Sequence, residues 1–208
     1  HNEIQIPRRA ELHPQDALRD HCLAQGEGLP VVVTDATHGW KCRRLWSIEY
    51  FAKKYGEDEL IANDKAPLRQ GEQPPMQTIR LKLKEYVDYL KDPHHHLTKR
   101  ETGAPFYGNS WNPFVDHAQM RKQIGCMYFI PDSVNRGDVI EDGDDASFSR
   151  QLTKVFFGPP NTITRLHYDT YNLHAWLTQV KGTKFFILFP PSQAHLIHAG
   201  EDCAPSQT

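Results

Sequence analysis

In residues 162–169, TITRLHYD, a histidine and an aspartate stand two positions apart. On extended backbone, side chains two apart project to the same side, so the imidazole of His167 and the carboxylate of Asp169 can converge on one point. One nitrogen donor and one anionic oxygen donor suit a divalent transition metal. Non-haem iron(II) is held by two histidines and one carboxylate on one side, with the opposite positions open to other ligands, and this pair would supply two of those three. Alone it is a weak signal, because the spacing arises by chance and a lone histidine more often has a structural task. His174, His195 and His198 have the chemistry of a further ligand. The run His94-His95-His96 does too, but successive side chains diverge on any regular element, which favours an exposed loop. Residues 135–145 are rich in acids and amides yet lack the DxDxDG order and closing Glu of a calcium loop, and read as a solvated loop.

The elements that must position these groups can be read from apolar spacing. Residues 29–34, LPVVVT, follow a Gly-Glu-Gly turn and are rich in β-branched side chains, which predicts a buried strand. Ser47 is placed to cap a short helix running toward Tyr55. Leu60, Ile61 and Ala62 form a second short strand candidate, and the polar, proline-bearing residues 63–75 a loop. Ile79 and Leu81 alternate with Arg80 and Lys82, then Leu83, Tyr86, Val87 and Leu90 adopt helical spacing, so a strand should run straight into an amphipathic helix. Residues 153–191 are dense with strand signals.

The stretch KVFFGPPNTITRLHYD, followed by VKGTKFFILFPP, resembles the JmjC or cupin-8 family of iron(II)- and 2-oxoglutarate-dependent oxygenases. An apolar strand, a Gly-Pro turn, the HxD pair, a G-x-K element and a closing Leu-Phe-Pro occur in that order. The interval from His167 to Lys184, together with Ala175-Trp176, is most similar to the branch containing the phosphatidylserine-receptor-type lysyl hydroxylases. Trp40, WSIEYF from Trp46, RLKLKEYVDYL and CMYFIPD from Cys126 resemble elements that precede the core, so the likeness covers most of the chain.

The resemblance implies a mainly β fold with flanking helices, a cupin-like double-stranded β-helix or jelly roll. Within a single domain spanning 1–208, residues 1–152 would form an N-terminal α+β portion and 153–208 the first half of the β-helix. It further implies that His167 and Asp169 are iron ligands and catalytic residues. Lys184 would pair with the far carboxylate of 2-oxoglutarate, Thr164 would bring a hydroxyl to the same carboxylate, and Asn172 would lie nearby. Oxygen is then the second cosubstrate, and 2-oxoglutarate leaves as succinate and CO2 while a C–H bond becomes C–OH. A protein side chain is the target most common in the family, with RNA or a small molecule behind it. Trp176 could line the cavity or serve as a core aromatic.

Physical chemistry places conditions on these assignments. Lys184 begins a strand expected over residues 184–189, on one face with Phe186 and Leu188, and an ammonium entering an apolar face needs an anionic partner. Thr164 stands an odd interval from His167, so both can face one site only across a bulge or if His167 lies past the strand end. The family's third ligand is a histidine on a late strand, and none of His174, His195 or His198 occupies its place. Too few core strands precede Thr208 to close a β-helix, and an open half-sheet would expose unpaired edges. A longer polypeptide, a second chain, or a degenerate non-catalytic relative acting as a structural or binding subunit would each account for this.

Composition frames the rest. The chain has 208 residues, 38% hydrophobic and 11% aromatic, with net charge −2, values of a folded globular domain rather than a disordered or strongly nucleic-acid-binding one. Cys22, Cys42, Cys126 and Cys203 include no CxxC pair, which argues against a zinc ribbon or a disulfide framework and predicts buried or free thiols. No apolar run is long enough for a membrane span. A soluble protein of the cytoplasm or nucleus is expected; the first residue is His1 rather than Met, which leaves an organelle and a targeting peptide open.

Overall fold

A computed structural model describes residues 5–23, 28–64, 77–92, 94–98, 105–125, 127–129, 153–169 and 174–196. The chain divides into two compact units, one of residues 1–43, 121–149 and 167–207, the other of 44–120 and 150–166 with residue 208.

In the first unit, β1 (Arg8–Arg9) pairs in parallel with β2 (Val32–Val33). Between them, α1 (Pro14–Asp16) continues into a wider helical turn, Ala17–Cys22, closed by the Leu23 N–H donating to Leu18 O at 2.9 Å. The expected buried strand over residues 29–34 is therefore shorter and more exposed: only Val32 and Val33 join a ladder, and Leu29 and Val32 are exposed. A strand extends only as far as a neighbour supplies hydrogen bonds, and β1 offers two residues. The core of this unit is Leu12, Ala17, Ala36 and Phe129, with Val31, Val33, Met127 and Trp176 packed on it. Asp35 ties it together, accepting from Glu11 N–H at 2.9 Å and from the Tyr128 hydroxyl at 3.0 Å, while that hydroxyl accepts from Leu12 N–H. A short helix, α2 (Cys42–Leu45), follows, with the buried Cys42 donating its N–H to Gln123 O at 2.8 Å. Cys42 and the half-buried Cys22 are free thiols, as expected; Cys126 and Cys203 lie outside the described residues.

The second unit holds α3 (Ile48–Tyr55), β3 (Glu59–Asp64), β4 (Gln77–Lys82), α4 (Leu83–Lys91), β5 (Tyr107–Trp111), α5 (Pro113–Asp116), α6 (Ala118–Arg121) and β6 (Val155–Phe157). Ser47 caps α3 as its position predicted, its Oγ accepting from Tyr50 N–H at 3.1 Å. The strand-to-helix switch at Leu83 also forms, with Glu85 reaching back to accept from Lys82 N–H at 2.7 Å. The four strands make an antiparallel sheet in the order β4-β3-β5-β6. Leu60, Ala62 and Asp64 alternate to the buried side of β3, and α3 packs against α4. Phe51, Tyr55, Tyr86 and Tyr89 bring a largely aromatic core onto Phe106, Trp111 and Phe157.

Tyr86 does more than fill space. Its buried hydroxyl lies 2.8 Å from Phe106 O and 3.0 Å from Phe157 O as donor, and accepts from Gly108 N–H at 3.0 Å. Burial pushes its phenol well above the ordinary tyrosine range. Tyr86→Phe is expected to destabilise by about 1–3 kcal/mol, because buried backbone groups lose their partner while ring packing is kept. Urea unfolding should show a lower midpoint with an unchanged slope; an unchanged midpoint would show that the hydroxyl is dispensable.

Candidate metal centre

The chain leaves β6 through a turn whose residue types are dictated by space. A Cβ on Gly158 would lie 2.7 Å from Tyr107 Cδ2 and 2.9 Å from Thr162 Cγ2, and Asn161 adopts a positive φ of 68°, which asparagine tolerates better than most residues. Residues 162–169 then run without a ladder partner among the described residues, so the strand expected there does not form. The odd interval from Thr164 to His167 therefore has no regular pleat to act on. Thr164 is exposed and belongs to the second unit.

His167 and Asp169, in the first unit, converge as the HxD spacing predicts: His167 Nε2 stands 3.7 Å from Asp169 Oδ1. That is too long for a direct hydrogen bond. It is close to the spacing of two neighbouring donors on one ion, about 3.0–3.5 Å for metal–ligand bonds near 2.1 Å. The donor set, imidazole plus carboxylate, also suits iron(II), so the residues present fit the ion. Both side chains are partly exposed. Among the described residues no third His, Cys, Asp or Glu completes a cluster around them.

A second histidine–carboxylate pair shows the contrast. His117 Nε2 donates to Asp58 Oδ2 at 2.8 Å, and the same oxygen accepts from Trp111 Nε1 at 3.0 Å. Here the donors are spent on each other and no ion fits between them, so the pair is structural. Sequence reading passed over it, since the partners stand far apart in the chain and no local motif joins them.

Lys184 follows a turn at Gly182, whose φ of +78° is the left-handed conformation that glycine adopts without strain; just before it, Gln179 Nε2 donates to Lys181 O at 2.7 Å. The G-x-K element thus has a backbone reason for its glycine. Residues 183–190 carry no ladder, and the strand expected over 184–189 is not formed among the described residues. The expected alternation in exposure holds only over residues 184–188, since Phe189 is as covered as Phe186. Lys184 is half-buried, Phe185 is 85% exposed, and Phe186 and Leu188 are more covered than Phe185 and Ile187. The Lys184 ammonium sits 5.1 Å from the centroid of the Phe186 ring, and burial pulls its pKa below the ordinary lysine value.

The other candidates separate. Asn172 and His198 lie outside the described residues, as do residues 135–145. His174 and His195 are exposed. Trp176 packs its ring 4.9 Å from Phe129 and donates Nε1–H to Thr178 Oγ1 at 2.9 Å, which makes it a core aromatic. In the histidine run, His94 and His96 are exposed and the half-buried His95 rests against Tyr89.

A family model of the cupin-like domain matches residues 18–207, and the chain belongs to that family. Relatives within it carry JmjC-type names. The chain is 26% identical over 192 residues to "Arginine-specific demethylase JMJ20" of Arabidopsis thaliana, with 81% of this chain and 38% of the relative covered. It is 24% identical to "Bifunctional arginine demethylase and lysyl-hydroxylase psr-1" of Caenorhabditis elegans, covering 78% and 36%. To "2-oxoglutarate and iron-dependent oxygenase JMJD4" of Mus musculus it is 26% identical, covering 84% and 40%. The chain thus spans well under half the length of these curated relatives. The antiparallel sheet with flanking helices fits a mainly β cupin fold, and no helix among the described residues is long and apolar enough to cross a membrane.

Proposed function

We propose that this chain is the metal-binding part of an iron(II)- and 2-oxoglutarate-dependent oxygenase that hydroxylates a protein side chain. The observation that carries the reading is the convergence of His167 and Asp169 at 3.7 Å within the matched segment. The names of the relatives support the cosubstrate and a protein target.

His167 would give a ring nitrogen and Asp169 a carboxylate oxygen to the iron, and the reading requires a third donor, which in the family resembled is a histidine. Bound there, iron supplies the redox chemistry by which O2 and 2-oxoglutarate become succinate and CO2, with one oxygen atom passing to a substrate C–H bond. The chain's own groups bind and orient. As the family resemblance implies, the Lys184 ammonium would pair with the far carboxylate of 2-oxoglutarate, with Thr164 and Asn172 as further candidates for binding it. Because burial lowers the Lys184 pKa, its ammonium loses its proton at a lower pH than an exposed lysine would. A bound carboxylate opposes that loss.

The test is succinate release by the full-length protein supplied with Fe(II) and 2-oxoglutarate, with mass spectrometry of candidate protein substrates for one added oxygen. Iron-dependent succinate is expected. Protein supplied with Fe(II) that neither retains iron nor releases succinate would favour the non-catalytic structural or binding subunit lacking the third ligand. Loss of a methyl group as formaldehyde, in place of a retained oxygen, would replace hydroxylation by demethylation.

A further inference from the structure

Lys184 is half-buried and Phe186 is 45% exposed, whereas Phe185 between them is 85% exposed. The ammonium lies 5.1 Å from the Phe186 centroid, within the range of about 6 Å over which a ring face attracts a cation. The contact lies within three consecutive residues, so it does not depend on which strand later pairs with this segment.

We propose that Phe186 is a positioning residue that holds the Lys184 ammonium for an incoming carboxylate. The inference rests on the reading of Lys184 as the cosubstrate's cation. A ring face stabilises the ammonium without neutralising it. A carboxylate in the same place would cancel the charge and compete with the ligand. The ring also orders the flexible four-carbon stem before binding, which lowers the ordering cost at the moment of capture. Partial burial of Lys184 disfavours its charged form, and a ring face beside the ammonium offsets part of that cost.

The experiment uses the full-length protein loaded with Mn(II), and measures 2-oxoglutarate affinity by equilibrium dialysis for wild type, K184M, F186L and F186W. K184M should weaken binding at least about thirtyfold, as loss of one partner of a charge pair does. F186L should weaken it about three- to tenfold, and F186W should restore it to within about twofold, because indole is the better cation host. A second readout needs no metal: after reductive methylation with 13C-formaldehyde, the resonance missing in K184M should show an upfield ring-current shift that F186L abolishes and F186W keeps. If K184M binds 2-oxoglutarate like wild type, the cosubstrate reading of Lys184 falls, and this inference with it. If K184M is weak but F186L matches wild type, only the role of Phe186 is overturned.

Discussion

Asp169→Ala is expected to abolish iron retention and iron-dependent succinate release while leaving the fold intact. The Asp169 side chain is about half exposed, so its loss creates no cavity and strands no buried partner, and its effect on stability should stay within about 0.5 kcal/mol. Its effect on the metal should be far larger. Outer groups that merely orient a ligand cost ten- to a hundredfold in metal affinity when removed, and a ligand itself should cost at least about a hundredfold. Iron content after desalting, read beside the thermal midpoint of the metal-free protein, separates the two effects. Equal iron in variant and wild type would mean that the 3.7 Å approach of His167 and Asp169 has another cause.

Phe51→Ala should produce the largest loss of stability. Phe51 is 6% exposed and its ring meets Trp111 at 5.1 Å, Trp46 at 5.4 Å and Phe157 at 5.8 Å. Removing a buried phenylalanine costs about 3–5 kcal/mol, a large part of the 5–15 kcal/mol that typically separates folded from unfolded chains. Near-ultraviolet circular dichroism should show the tryptophan signal fading at a much lower urea concentration. Phe185→Ala is the control, since Phe185 is 85% exposed and should shift the midpoint little. Comparable losses for the two would contradict the packing described here.

Elements whose signal is local were legible in the sequence. Ser47 announced the start of α3, and the change from period two to helical spacing at Leu83 located both β4 and α4. The HxD pair was legible for the same reason, since two positions along extended backbone suffice to bring its atoms together. Properties that depend on a distant neighbour were not. The β-branched residues 29–34 predicted a buried strand, yet ladder length is set by β1, which no composition reveals. Residues 162–169 and 184–189 have strand chemistry, but a strand also needs a partner, and among the described residues none pairs with them. The family was legible from the order of several motifs, and the match over residues 18–207 agrees with it.

The hydroxyl of Tyr86 joins α4 to Phe106, just before β5, to Gly108 within β5 and to Phe157 in β6. It does so next to the irregular register between Gly108 and Trp111. A phenol anchored in a helix thereby bonds to both strands at once. Fraying of the edge and loosening of the helix cannot then proceed independently, so α4, β5 and β6 should open to solvent as one cooperative block.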